Sequence, residues 1–159
     1  MEIYLLRHGI AEDLKAGQKD ADRALTDDGK RKLRVVARRA RLAGVKPTLV
    51  VTSPYRRAVE TAEIVAAELK YKGQLLRTKA LVPDSSPEAV WEEVRTHKQE
   101  TQLLLAGHEP LFSALAAYLL NAPSLVVDFK KGALMRVDME LLSPHPRGVL
   151  KWMLAAKIS

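Results

Sequence analysis

Short apolar runs alternate along the chain with longer stretches in which apolar residues recur every three or four positions. Residues 3–6, 49–52 and 102–106 read as buried strands, and residues 75–80, 133–138 and 149–154 as further strands. The last two are expected to pair through the turn region 143–148. Helical spacing covers residues 26–43, 56–69, 87–97 and 111–120, while residues 11–23 are polar, irregular and read as a loop. Thr26 followed by Asp27 and Asp28 has the form of a helix N-cap with acids in the first turn, and Ser86-Pro87-Glu88 is a second helix start. Strands alternating with helices predict an α/β fold, a three-layer α/β/α sandwich around a mostly parallel central sheet.

Three of the expected strands end in polar clusters. Ile3-Tyr4-Leu5-Leu6 runs into Arg7-His8-Gly9, Leu49-Val50-Val51 into Thr52-Ser53-Pro54-Tyr55-Arg56-Arg57, and the run ending at Ala106 into Gly107-His108-Glu109-Pro110. Ligands of open α/β sheets bind outside the carboxyl ends of the strands. Parallel strands therefore bring two histidines and up to three arginines to one rim.

Composition narrows the chemistry that this rim can perform. There is no cysteine among the 159 residues, which excludes a disulfide scaffold, a thiolate metal site and a cysteine nucleophile. The length suits a single domain spanning residues 1–159. The N-terminus lacks the form of a signal peptide, and no run approaches the ~18 apolar residues of a membrane span, so a cytoplasmic protein with no membrane partner is expected. The net charge of +7 is local: from Arg31 to Arg57 there are nine bases and no acid. On the helix 26–43, Leu33, Val36, Ala37, Ala40 and Ala43 form an apolar stripe, and Arg31, Arg34, Arg38 and Arg41 a basic one roughly opposite. That face is either simply solvated or a docking surface for an acidic partner. Nucleic acid is not the expected partner, because no aromatic residue lies between Arg31 and Val51 to stack on bases.

Guanidinium forks suit the non-bridging oxygens of a phosphoryl group, and an imidazole can act as a nucleophile toward phosphorus. Such a site needs no metal and no cofactor. Arg7-His8-Gly9, with Leu5-Leu6 before it, resembles the signature of the histidine phosphatase (phosphoglycerate mutase-like) superfamily. Three further segments are similar to that family's motifs: Arg23-Ala24-Leu25-Thr26-Asp27-Asp28-Gly29, the stretch from Ser53-Pro54 through Arg57-Ala58 to Thr61-Ala62, and Gly107-His108-Glu109-Pro110. The resemblance implies a phosphoglycerate mutase-like fold with a minimal cap. It makes His8 the phosphoryl-accepting nucleophile, Arg7 and Arg57 ligands of a bound phosphate ion, and His108 the second pocket histidine. Gly9, Ser53, Arg56 and Glu109 become candidates for substrate contact, Arg56 as a surface neighbour and Glu109 as a group that orients His108 or touches substrate.

The chain departs from the larger members of that family in ways that bear on substrate. Ala11 and Leu14 stand where those members carry polar pocket residues, and the segment 81–87 is short, with no clear glutamate to act as proton donor. An alkoxide leaving group needs such an acid, whereas a protonated phosphoimidazole departs as a neutral ring. This pattern resembles the SixA-type phosphohistidine phosphatases. It implies a phosphorylated signalling protein as substrate, with a histidine phosphotransfer domain as one form of partner. The alternatives are a phosphomonoesterase for a small metabolite, with Asp84 or Glu12 as proton donor, and a non-catalytic phosphate- or protein-binding module. His97 reads as a helix C-terminal residue, His145 as an exposed turn residue, and Trp91 and Trp152 as packing residues.

Overall fold

The computed structural model of the chain describes residues 1–157. Six strands form one sheet: β1 (Glu2–Arg7), β2 (Leu49–Thr52), β3 (Leu75–Arg77), β4 (Gln102–Gly107), β5 (Leu134–Asp138) and β6 (Val149–Leu154), in the order β3-β2-β4-β1-β5-β6. The first four in that order run parallel, and β5 and β6 complete the sheet antiparallel.

Alternation along the strands creates two cores. Ile3, Leu5, Leu103 and Leu105 face one side and pack against α3 (Pro87–Arg95) and α4 (Leu111–Leu119). Tyr4, Leu6, Leu104 and Ala106 face the other, against α1 (Asp27–Leu42) and α2 (Arg56–Glu68). Hence the three layers. Thr26 caps α1 by accepting a hydrogen bond from the Gly29 amide at 2.9 Å, and Ser86 caps α3 by accepting from Ala89 at 3.2 Å. His97 lies just past the end of α3, 3.9 Å from Glu93, and His145 is exposed. Trp91 is fully buried, and Trp152 packs on Tyr4. Among the described residues no helix is long and apolar enough to cross a membrane.

Two segments differ from the sequence reading. The strand expected over 75–80 stops at Arg77, and Lys79–Leu81 forms a short 3-10 helix that turns Leu81 into the core. At this sheet edge Leu76 and Arg77 are exposed, so no buried face extends the strand. The loop 11–23 contains a second 3-10 helix, Asp20–Asp22, and an antiparallel bridge joins Ala11 to Leu25. Gly29 permits this closure, because a Cβ there would overlap the backbone of Ile10. The loop is thereby drawn over the carboxyl ends of the strands.

Candidate active site

Backbone hydrogen bonds gather the ends of β1, β2 and β4. The His8 amide donates to Gly107 O at 2.9 Å, and the Ser53 amide to Ala106 O at 3.0 Å. His8, Ser53, Arg57, Thr61 and His108 form a buried polar cluster directly beyond these ends. The two imidazole rings lie 5.1 Å apart, centroid to centroid. The convergence that the strand pattern implied is therefore realised for His8, Arg57 and His108.

Each side chain is held by a specific partner. His8 Nδ1 is 2.7 Å from Gly9 O, and a carbonyl can only accept, so the proton is on Nδ1 and Nε2 carries the lone pair. Arg57 Nε donates to that Nε2 at 3.4 Å, which agrees with the same tautomer. Thr61 Oγ1 accepts from the Gly9 amide at 3.0 Å and donates to Arg57 O at 2.6 Å, linking the segment after β1 to α2. Ser53 Oγ accepts from the Tyr55 amide at 3.2 Å and lies 2.8 Å from His108 Nε2. Tyr55 presents its ring to the edge of His108 and lies beneath the Arg57 guanidinium, 5.1 Å in each case. Arg7 Nη1 donates to Phe129 O at 2.6 Å.

Burial keeps both imidazoles neutral. His8 is pushed down to about 4, chiefly by desolvation, with the charges of Arg57, Arg7 and Lys131 acting the same way. His108 is pushed down to about 3 by desolvation, by His8 and by Arg57. Two buried polar atoms have no hydrogen-bond partner among the described residues: His108 Nδ1 within the cluster, and Nε of Arg7, whose charge acts on both rings. An N–H left in that condition costs about 1–3 kcal/mol, which an anion in the cluster would recover. Among the described residues no three His, Asp or Glu side chains converge as metal ligands.

Four expected contact residues have other partners. Gly9 uses both backbone groups inside the protein, toward Thr61 and His8. Ser53 holds His108. Arg56 is exposed and pairs with Glu60 at 3.4 Å, because successive helix positions point about 100° apart and Arg57 takes the inward one. Glu109 turns to the start of α4, where its carboxylate accepts from the amide and hydroxyl of Ser113, and its charge acts on Arg7; it makes no hydrogen bond to His108. Of the two candidate proton donors, Glu12 is exposed beside Lys15 at 3.8 Å, and Asp84 is exposed on a turn.

The residue that the sequence reading missed is Asp20. Its backbone carbonyl accepts from Arg57 Nη1 at 2.9 Å and its carboxylate from Nη2 at 3.1 Å, while Arg23 donates to the other carboxylate oxygen at 3.0 Å. Burial alone would raise this carboxyl, but the hydrogen bonds from Arg23 and Arg57 outweigh it and hold it below its ordinary value. The only hint in the sequence was its spacing of three from Arg23, inside a stretch with no periodicity.

Known proteins share sequence and fold with this chain. The family model of the histidine phosphatase superfamily (branch 1) matches residues 3–81. An uncharacterized protein of Picosynechococcus sp. (strain ATCC 27264 / PCC 7002 / PR-6) is 39% identical over 113 residues, covering 69% of this chain and 67% of that protein. The mitochondrial serine/threonine-protein phosphatase Pgam5 of Drosophila ananassae is 33% identical over 96 residues, 57% of this chain but only 32% of the relative. Among solved structures, the protein histidine phosphatase SixA complexed with tungstate superposes with a TM-score of 0.87 at 24% identity, covering 98% of this chain and 97% of that one. The alpha-ribazole phosphatase from Shigella flexneri gives 0.76 at 17% identity, covering 100% and 98%. From the 39% identical relative and the family match over residues 3–81, the chain belongs to the histidine phosphatase superfamily.

Proposed function

We propose that the chain, acting as one domain, is a phosphohistidine phosphatase: it takes a phosphoryl group from a phosphohistidine of a signalling protein onto His8 and then hydrolyses it. The observation that carries the reading is the pairing of a neutral His8, whose basic Nε2 meets Arg57 Nε at 3.4 Å, with two buried and unpartnered nitrogens, Arg7 Nε and His108 Nδ1. A nucleophile beside unsatisfied donors is what a phosphoryl acceptor site requires.

The chemistry follows from these groups. His8 Nε2 attacks phosphorus, the P–N bond of the substrate breaks, and a substrate imidazole protonated on its other nitrogen departs as a neutral ring. Arg57 and Arg7 stabilise the charge on the equatorial oxygens of the loose transition state. Water then attacks phosphorus, the bond to Nε2 breaks, and the water's proton leaves with the phosphate. The lone pair returns to His8.

The partners that engage the acids around the site favour an N-linked substrate over an ester. An alkoxide needs a proton donor, yet Asp20 is ionised between two arginines, Glu109 is engaged with Ser113 and Glu12 lies beside Lys15. Solved structures of similar fold include phosphatases named for a protein histidine and for small metabolites, so the discriminating experiment is one of leaving group. The kcat/KM of the purified protein is measured on a phosphohistidine peptide and on an alkyl phosphate. A preference of about 100-fold or more for the P–N bond is expected, on the typical size of general-acid contributions. Equal or greater turnover of the alkyl phosphate supports the metabolite phosphatase instead, and no turnover of either supports a binding module.

A further inference from the structure

The basic stripe of α1, which the sequence left as either a solvated face or a docking surface, is largely engaged within the molecule. Arg31 pairs with Asp28, Arg38 lies 3.9 Å from Glu68, and Arg41 Nη1 donates to Glu68 O at 3.4 Å. The acids and carbonyls of α1 and α2 thus absorb much of its charge.

A different basic surface opens directly beside the active site. A cavity of about 470 Å³ runs from Arg7 between Lys32 of α1 and the loop residues Lys130 and Lys131, over a floor that includes Ile10 and Ala155. The chain separates these lysines by nearly a hundred positions, so only the fold brings them together. Lys130 is paired with Asp128 at 2.8 Å and Lys32 with Asp28 at 2.9 Å, whereas Lys131 has no ion pair among the described residues. Lys131 is also near enough to His8 to disfavour its protonation.

We propose that this groove receives an acidic segment of the phosphorylated protein, aligning it so that the phosphohistidine side chain enters beside Arg7. The inference rests on the phosphatase reading and names the surface chemistry of its substrate. The alternative occupant, a second phosphate of a small molecule, fits the groove less well. Lys130 and Lys131 are exposed point charges on flexible stems, not buried forks, and the volume and apolar floor suit several side chains. Dispersed positive charge beside a reaction centre steers and orients an acidic surface.

The test uses two phosphohistidine peptides, one flanked by Asp and Glu and the other by Asn and Gln at the same positions, together with phosphoramidate and a small bisphosphate. Rates are measured at pH 8, where His8 is neutral in every variant. The wild-type protein is expected to favour the acidic peptide about ten-fold in kcat/KM, mainly through KM. The double variant Lys130→Glu, Lys131→Glu abolishes that preference and leaves phosphoramidate turnover within about two-fold. A wild-type protein that hydrolyses phosphoramidate but shows no preference between the peptides overturns the docking role alone. So does a variant that loses both activities alike, or one that loses only the bisphosphate. Failure of the wild-type protein on phosphoramidate overturns the phosphatase reading itself.

Discussion

The Nδ1 atom of His8 lies 2.7 Å from the carbonyl oxygen of Gly9, its own neighbour in the chain, and this bond leaves Nε2 as the basic nitrogen. With burial pushing His8 to about 4 and His108 to about 3, both rings stay neutral throughout the physiological range. Nitrogen NMR of the folded protein should therefore show both imidazoles neutral between about pH 5.5 and 8, with His8 protonated on Nδ1. A titration midpoint near 6.5 for either ring contradicts the assignment. The sign for stability follows from the same shifts. Below about 6.5 the unfolded chain binds protons that the folded protein refuses, so stability is full above that pH and is lost as pH falls toward 4. Urea denaturation at pH 5 should register a loss on the order of 4 kcal/mol relative to pH 7, about half from each ring.

Arg57 bridges two anchors, with Nε toward His8 and both Nη atoms toward Asp20. A lysine keeps the charge but cannot hold both sides. Arg57→Lys is expected to lower kcat/KM about 100-fold while leaving the fold intact, since a lost fork costs transition-state stabilisation of this order. Activity within a few-fold of wild type shows that only the charge of Arg57 matters.

Ser53 sets the second histidine. Its oxygen accepts from the Tyr55 amide and lies 2.8 Å from His108 Nε2, so it fixes that ring nitrogen, while Nδ1 is the buried atom without a partner. Ser53→Ala removes that control and leaves the Tyr55 amide unpaired. The expected results are a fall in kcat of about ten-fold, by analogy with a lost orienting contact, and destabilisation of about 1–3 kcal/mol. Destabilisation without a change in kcat contradicts the orienting role.

Asp20 places a negative charge beside the proposed anion site. Asp20→Asn keeps the backbone contact to Arg57 and an acceptor oxygen but removes the charge. Phosphate and tungstate inhibition should then tighten about three- to ten-fold, the size of one screened unit charge a few ångströms away. Weaker inhibition shows instead that the carboxylate is needed to hold Arg57 in place.

The parts of this fold that repeat were readable from the chain. Strand–helix alternation located β1, β2 and β4, and helix capping at Thr26 and Ser86 located the starts of α1 and α3 to the residue, because those signals are local. The convergence of His8, Arg57 and His108 was legible because parallel strands must deliver their carboxyl ends to one side. Asp20 was not, since the loop that carries it has no periodicity and is positioned by long-range contacts, including Leu25 to Glu60 and Thr26 to Ile10. The partner of Glu109 was hidden for a related reason: adjacency to His108 in sequence says nothing about direction, and the start of α4 engages its carboxylate through Ser113. The lysine groove was hidden because its walls come from opposite ends of the chain.

The central claim is that His8 carries the phosphoryl group during turnover. The most direct measurement is to quench the reaction with a phosphorus-labelled substrate, digest the protein and locate the label. The account predicts label on the peptide containing His8, stable in alkali and lost in acid, as an N-linked phosphoryl group is, and none in His8→Ala. Turnover with no label on His8, or undiminished turnover by His8→Ala, contradicts it.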